Sequence, residues 1–169
     1  MLDRLSDEVY YLRGPVRTIT ADLVSFLREA ALASPRGRCR ICLHDHPDAP
    51  VHEMFIAHTR DVLVPPHAHF DKSESFTVVS GLATVYLLDD SGKVQEKIAL
   101  GAGCSDRAAC VRMQAGQWHT QRFESDVAIF YEVSSGPFQP EHTRTLWDPQ
   151  SPGHAEHQQR FWAELEASS

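Results

Sequence analysis

Apolar and polar positions alternate along the middle of the chain, from Arg38 to about Val133. Short runs rich in Val, Ile, Phe and Tyr are separated by turn signals at residues 47–50, 65–66, 80–81, 89–92 and 101–103. Period-two alternation interrupted by Pro, Gly and Asp is typical of antiparallel strands in a sandwich or barrel. The clearest hairpin is the Asp90-Ser91-Gly92 turn between the runs VYLLD and VQEKIAL.

Helical spacing marks the two ends of the chain. A helix is predicted to begin after Thr20, as its N-cap, and to end at Ser34-Pro35, because a residue before proline is pushed out of the helical region. Its apolar face comprises Leu23, Phe26, Leu27 and Ala30. Near the other end, the segment EHQQRFWAELEA has helical spacing and offers Phe161, Trp162 and Leu165 to the barrel or to a partner.

Length and composition indicate one folded domain. The chain has 169 residues, of which 42% are hydrophobic and 23% charged, and it contains no internal repeat. We expect an N-terminal leader and helix (residues 1–37), a β barrel (38–136) and a C-terminal tail with a short helix (137–169), all within that domain.

Charge and hydropathy exclude several function classes. The formal net charge is -7 and the basic residues are scattered, so nucleic acid is not an expected partner. No run approaches the roughly 18 apolar residues of a membrane span, and the first residues form no apolar signal segment. The expected location is the cytoplasm, with no membrane partner.

Four cysteines are present at positions 39, 42, 104 and 110. Cys39 and Cys42 form a C-x2-C pair, but Cys104 and Cys110 lack the matching close spacing of a zinc ribbon. We therefore interpret all four as reduced structural thiols.

A group of potential metal ligands lies in the segment PPHAHFDKSESFTVVSG. His67 and His69 are two residues apart, so in a strand both imidazoles project to one face, with their roots roughly 7 Å apart. After a short polar turn, Glu74 begins the next strand. A second segment, AGQWH, places a turn at Gly116 and a third imidazole, His119, at the start of another strand. We expect His67, His69, Glu74 and His119 to share one divalent ion.

These residues match the two motifs of the cupin superfamily, G-x5-H-x-H-x(3,4)-E-x6-G and G-x5-P-x-G-x2-H-x3-N. The sequence resembles that superfamily at all four ligands and at Gly81 and Gly116. It departs at the scaffold positions Asp61, Ala108, Gln114 and Phe123. The resemblance implies a mainly β fold: a single cupin barrel (double-stranded β-helix, or jelly roll) with an N-terminal helix and a short C-terminal helix.

A narrower resemblance covers about residues 34–138. The segment HAHFDKSESF, with SPRGRCRICLH before it and EVSSGPF after it, is similar to the WbuC-type cupin-fold metalloproteins, a bacterial family often linked by gene neighbourhood to surface-polysaccharide synthesis. This resemblance implies a role for Lys72 and His44. The activity of that family is itself poorly defined.

The ligand set indicates one divalent transition metal, and Fe, Mn, Zn, Ni and Co all accept three imidazoles and a carboxylate. A six-coordinate ion would keep two positions for water or a small-molecule ligand. The candidate substrate-binding residues are Lys72, Tyr86, Gln121, Tyr131 and His44. Ordinary core or rim packing is the favoured explanation of the two tyrosines, and a solvent-exposed loop position explains Lys72 as well as a substrate contact does.

Three functions fit these residues. The first is a metal-dependent enzyme, a dioxygenase or isomerase, that acts on a small polar molecule, for example a sugar-derived one. The second is a non-catalytic module that binds a metal and a small molecule or sugar. The third is a metal-free sugar epimerase with a histidine base and a tyrosine acid, which would leave three of the four ligands unused. A homodimer is expected from the cupin resemblance, supported by the Val9–Leu12 run and the final helix.

Metal affinity should fall as the pH drops below about 6, because each imidazole must be deprotonated to bind an ion. Metal content after dialysis at a series of pH values measures this, and full occupancy down to about pH 4 would contradict it.

Overall fold

Two facing sheets account for the alternating part of the chain in the computed structural model, which describes residues 1–148, 150–151 and 153–167. The strands are β1 (Leu2–Arg4), β2 (Val9–Leu12), β3 (Arg38–Cys42), β4 (Val51–Thr59), β5 (His67–His69), β6 (Glu74–Ser80), β7 (Leu82–Leu88), β8 (Val94–Gly101), β9 (Cys110–Met113), β10 (Trp118–Phe123), β11 (Val127–Ser135) and β12 (Thr143–Thr145). The helices are α1 (Ala21–Ala33), α2 (His154–Ala167) and a short 3-10 helix (Pro140–His142).

The larger sheet has the strand order β1-β2-β3-β4-β11-β6-β9, and the smaller has the order β12-β5-β10-β7-β8. The parallel pair in these sheets is β2 with β3, while the other strand pairs are antiparallel. The sheets enclose one apolar interior. This arrangement confirms the predicted mainly β jelly-roll barrel with a helix at each end.

The predicted leader is part of the larger sheet. Strand β2 lies parallel to β3, with Val9 opposite Arg40 and Tyr11 opposite Cys42. Tyr11 and Leu12 are buried, and the ring of Tyr10 meets Phe26 edge-on. The Val9–Leu12 run thus packs within its own chain and lends no support to a dimer. A strand of only four residues has too little alternation to be recognised from sequence.

Helix α1 begins and ends where its caps predict. The hydroxyl of Thr20 accepts a hydrogen bond from the Leu23 amide at 3.4 Å, and the amide of Ser34 closes the last turn on Ala30 and Ala31. The predicted apolar face packs on the outer side of the larger sheet, with Leu27 fully buried. Capping and burial of one face therefore fix the helix on the sheet.

Helix α2 docks on the outer side of the smaller sheet. Phe161, Trp162 and Leu165 are each at most 7% exposed and pack against Tyr86 and Leu88. Burying such side chains contributes about 1.5–3 kcal/mol each. The predicted apolar residues of this helix thus contact the barrel of their own chain.

The C-x2-C pair does not form a chelating site. Cys39 packs under α1, whereas Cys42 faces the barrel interior, because residues three apart on a strand project to opposite faces. Both thiols are buried and free, and Cys104 and Cys110 are also free. This agrees with structural thiols.

Aromatic rings fill the interior at one level of the barrel. The ring of Phe130 stacks on Phe76 at 4.1 Å and lies parallel to Phe123 at 5.8 Å. Further along the same strands the inward positions become polar, where Glu74 stands opposite Ser134. The interior therefore changes along the barrel from an apolar level to a polar one, and the cavity borders both.

His58 projects into this apolar level without a hydrogen bond to its Nδ1 atom from the described residues. Its ring meets Phe123 and Phe130 edge-on, at 4.8 Å and 5.3 Å. Burial, together with the charge of Arg38, lowers its pKa from 6.5 to about 3. The folded protein thus keeps His58 neutral where the unfolded chain protonates it.

The replacement His58→Phe should reduce the acid sensitivity of the fold. Wild-type stability is lost as the pH falls from about 6.5 towards 3, since the unfolded state binds the extra proton. The variant should lose about 1–2 kcal/mol less free energy of unfolding between pH 8 and pH 5. Urea unfolding at the two pH values measures this, and equal losses in both proteins would contradict it.

Candidate metal centre

Three neighbouring strands position the four predicted ligands. His67 and His69 are the first and last residues of β5, Glu74 begins β6, and His119 lies in β10. His119 stands directly opposite His67 across the β5–β10 pair, so both rings project to the same face. The short turn between β5 and β6 carries Glu74 across to the facing sheet, and its carboxylate closes the group.

The donor groups meet as predicted. One ligand atom from each of the four residues lies within 4.8 Å of all the others. Glu74 Oε1 is 2.8 Å from His119 Nε2, and its Oε2 is 3.6 Å from His69 Nε2. The His67 and His119 rings are 4.3 Å apart. A single cation is within reach of all four side chains.

The chain itself occupies the Nδ1 atom of each histidine. His67 Nδ1 donates to the Pro65 carbonyl at 2.8 Å and His119 Nδ1 to the Gln117 carbonyl at 2.9 Å. His69 Nδ1 is 2.8 Å from the Thr143 hydroxyl. Because a carbonyl only accepts hydrogen bonds, Nδ1 of His67 and His119 must carry the proton. Nε2 is thereby directed at the shared point, the arrangement that ligating histidines usually show.

Electrostatics distinguish the three imidazoles. Burial, and next the charge of His119, lowers the pKa of His67 to about 3, and burial lowers that of His69 to about 4. Burial opposes protonation of His119 too, but the hydrogen bond and charge of Glu74 raise its pKa. Competition between protons and metal at acidic pH therefore concentrates on His119.

Glu74 is the natural partner of a cation at this point. Burial alone would raise its pKa, yet the hydrogen bond from His119 and the charges of the histidines lower it to about 2. The carboxylate thus stays ionised although the residue is only 6% exposed. A buried anion facing three Nε2 atoms fits a divalent metal of the mixed nitrogen and oxygen class, and iron, manganese, zinc, nickel and cobalt share that class.

A cavity of about 760 Å³ opens beside the ligands. Its volume lies within the usual range for a small-molecule site. Of the predicted substrate-binding residues, Lys72, Gln121 and His44 line it. Gln121 follows His119 on the same inward face, and Lys72 Nζ is 3.5 Å from the Ser134 hydroxyl. Substrate contact by these three remains a prediction.

The structure does not bring the two predicted tyrosines to this cavity. Tyr131 lies on the outer face of β11, where its hydroxyl donates to Glu53 and its ring packs on Phe55. Tyr86 stands opposite Thr120 on the outer face of the smaller sheet and packs under α2. Strand alternation explains both positions, since the inward neighbours are Glu132 and Val85. Binding of substrate inside the barrel is not available to these side chains.

Sequence reasoning missed several charged residues of the cavity, among them Glu132 and Arg40. Glu132 lies two residues before Ser134 on the inward face of β11, opposite Phe76. Burial, and then the charge of Glu74, raises its pKa to about 7. The alternation along β11 places Glu132 on the same face of the strand as Ser134. Which face of β11 points into the barrel could be assigned only from its pairing with β6.

One family model matches part of the chain. A family model described as a domain of unknown function (DUF6016) matches residues 19–100, slightly less than half of the chain. No curated protein sequence matches the chain.

Among the described residues, no helix is both long and apolar enough to cross a membrane.

Solved structures of similar shape include three from bacteria. CapF, a capsular polysaccharide assembling protein from Staphylococcus aureus, is 20% identical with a TM-score of 0.53, and the match covers 69% of this chain and 32% of CapF. Oxalate decarboxylase from Bacillus subtilis is 18% identical with a TM-score of 0.52, over 70% of this chain and 30% of that chain. Protein SO0799 from Shewanella oneidensis is 10% identical with a TM-score of 0.50, over 61% and 66%.

These likenesses confirm the cupin fold. The matched region spans less than two thirds of each of these three solved chains. At such identities the shared property is the fold.

The replacement Thr143→Val should weaken metal binding about 10- to 100-fold, because it removes the hydroxyl that orients His69. Thr145→Val is the matched control. It lies on the same strand and lines the same cavity, but its hydroxyl donates to the Trp147 carbonyl. Competition with a chromophoric zinc chelator measures both affinities, and equal values for the two variants would contradict the orienting role.

Proposed function

We propose that this protein is a metal-dependent enzyme that acts on a small polar molecule. The observation that carries the proposal is the convergence of three Nε2 atoms and one ionised carboxylate at the edge of an open cavity. A structural metal site is closed by its protein ligands, whereas a site beside a cavity leaves room for a substrate to reach the ion.

His67, His69, Glu74 and His119 would hold the ion. When bound, a divalent metal supplies Lewis-acid polarisation of a substrate carbonyl or hydroxyl, and a redox-active one supplies electrons to oxygen chemistry. The protein's own contribution is orientation: the Gln121 amide and the Lys72 ammonium line the same cavity and can hold polar groups of the substrate.

Glu132 adds a group that can hold or move a proton. Its carboxyl lines the cavity and has no hydrogen bond to another described residue. Ser134 of β11 pairs with Glu74 of β6, and Glu132 is the adjacent inward-facing residue on β11. A carboxyl group beside a metal-held substrate favours a reaction with a proton transfer at a carbon or hydroxyl oxygen, as in an isomerase. A dioxygenase remains the other reaction class for this ligand set.

Sugar-derived molecules are the first substrates to test. The narrower resemblance to WbuC-type proteins motivates this choice, since that family is linked by neighbourhood to surface-polysaccharide synthesis. A cytoplasmic location and a homodimer remain predictions.

Metal content gives the first test of the enzyme proposal. Protein purified without chelator should contain close to one divalent transition metal per chain, and His119→Ala should lose most of it. His46→Ala is the matched control, because the His46 side chain is 70% exposed and belongs neither to the ligand group nor to the cavity lining. Absence of metal in the wild type, together with no uptake on reloading, would refute the proposal and favour the metal-free epimerase.

Turnover is then measured on sugar-derived candidates with iron-, manganese- and zinc-loaded protein. Conversion without oxygen in the zinc or manganese form indicates an isomerase, and oxygen consumption in the iron form indicates a dioxygenase. Metal and ligand binding that His119→Ala abolishes, with no reaction in any metal form, would favour the non-catalytic binding module.

A further inference from the structure

The cavity wall formed by β2, β3 and β4 carries three arginines, of which two are already paired. Arg38 Nε is 2.8 Å from Glu8 Oε2, and Arg36 Nε is 3.4 Å from Glu8 Oε1. For Arg40, the residues that the structure describes provide no carboxylate partner and no side-chain hydrogen bond. Arg36 and Arg38 share the single carboxylate of Glu8, so Arg40 is the arginine of this wall whose guanidinium contacts no described carboxylate.

Arg40 faces the cavity and not the outer surface. On β3 it alternates with Cys39 and Ile41, which pack under α1, and it stands opposite Ile56, an inward residue of β4. Its charge also acts on the cavity groups, since it lowers the pKa of Glu132 and of His44. The side chain is exposed, so a molecule entering the cavity can reach it.

Two buried histidines continue this wall. His44 and His52 are 8% and 6% exposed, and their rings stack at 4.2 Å with planes 5° apart. His52 Nε2 is 2.8 Å from the Pro47 carbonyl, and His44 Nδ1 is 3.2 Å from the amide and the carbonyl of Glu53. Within the described chain, His44 Nε2 has no partner, although the residue lines the cavity.

The free nitrogen of His44 is suited to an anion. When Nδ1 accepts from the Glu53 amide, the ring proton resides on Nε2, which becomes a donor. An acceptor in the cavity selects that tautomer without requiring a charged imidazole. The His44 residue is only 8% exposed and lines the cavity, so an acceptor bound there offers its free ring nitrogen a hydrogen bond in partly desolvated surroundings.

Lys72 supplies a second cation to the same region. Its Nζ is 3.5 Å from the Ser134 hydroxyl, and Ser134 stands directly opposite His52. Lys72 has no carboxylate partner among the described residues, and its charge also lowers the pKa of Glu132. Arg40 and Lys72 thus bring two positive charges to a part of the cavity whose carboxyl groups are Glu132 and the predicted ligand Glu74.

We propose that Arg40, His44 and Lys72 form a subsite that binds a carboxylate or phosphate group of the substrate beside the metal centre. The assignment to a substrate rests on the proposed function, whereas the anion preference itself does not. An arginine fork and an ammonium are the usual partners of both anions, and a neutral imidazole donor completes the set.

Isothermal titration calorimetry with three probes of one carbon skeleton tests this subsite on the metal-loaded, full-length protein. The probes are glucose, glucuronate and glucose 6-phosphate, which carry at the sixth carbon a hydroxymethyl oxygen without charge, a carboxylate and a phosphate. At least one of the two anions should bind tenfold or more tightly than glucose. The anionic probe that binds more tightly identifies whether the subsite prefers a carboxylate or a phosphate.

Arg40→Gln should weaken binding of the preferred anion about tenfold or more and leave glucose unchanged. Arg36→Gln is the matched control, because it removes an equal charge from the same cavity wall, but one that Glu8 already pairs. It should change the affinity less than about threefold. Elemental analysis of the same samples should show unchanged metal content, since neither residue is a ligand.

The outcomes separate the two proposals. Anion binding that depends on Arg40, with no turnover of any substrate, supports the subsite and counts against the enzyme. Glucose bound as tightly as both anions, or an equal effect of the two arginine variants, overturns the subsite regardless of the metal result.

Discussion

The orientation of three imidazole rings by the chain's own oxygen atoms is the constraint on which this site depends. A histidine can present either nitrogen, and a ring free to flip would present each in turn. Here two backbone carbonyls and one hydroxyl take the Nδ1 atoms of His67, His119 and His69. The remaining nitrogens then have one place to point, where Glu74 already lies. The carbonyls of Pro65 and Gln117 are each two residues before their histidine, so the turns entering β5 and β10 are part of the site.

Much of the barrel and of its ligand set follows from local sequence. Alternation located most strands, Thr20 and Ser34 marked the ends of α1, and the spacing of His67 and His69 placed both rings on one face. Glu74 and His119 followed because their strands begin at recognisable turns. These features depend on periodicity and on residues close in sequence, which a single chain displays directly.

The remaining features depend on pairing between distant segments. Tyr86 and Tyr131 lie on strands that form the barrel wall, yet both side chains face outward. Glu132, the residue directly after Tyr131, faces inward. The parallel pairing of β2 with β3 brings Glu8 to Arg38 across 30 positions of sequence. The local sequence pattern predicts neither which face of a strand points inward nor which distant strands pair, because both depend on the register with another strand.

The contact between Glu8 and two arginines gives the segment before α1 an influence on the cavity that its position in the fold does not suggest. Glu8 lies in the turn between β1 and β2, while the four candidate metal ligands lie on β5, β6 and β10. Substitution of Glu8 can therefore change the charge of the cavity wall without altering any of the four candidate metal ligands. The charge of one cavity wall and the set of candidate metal ligands are thus determined by separate segments of the chain.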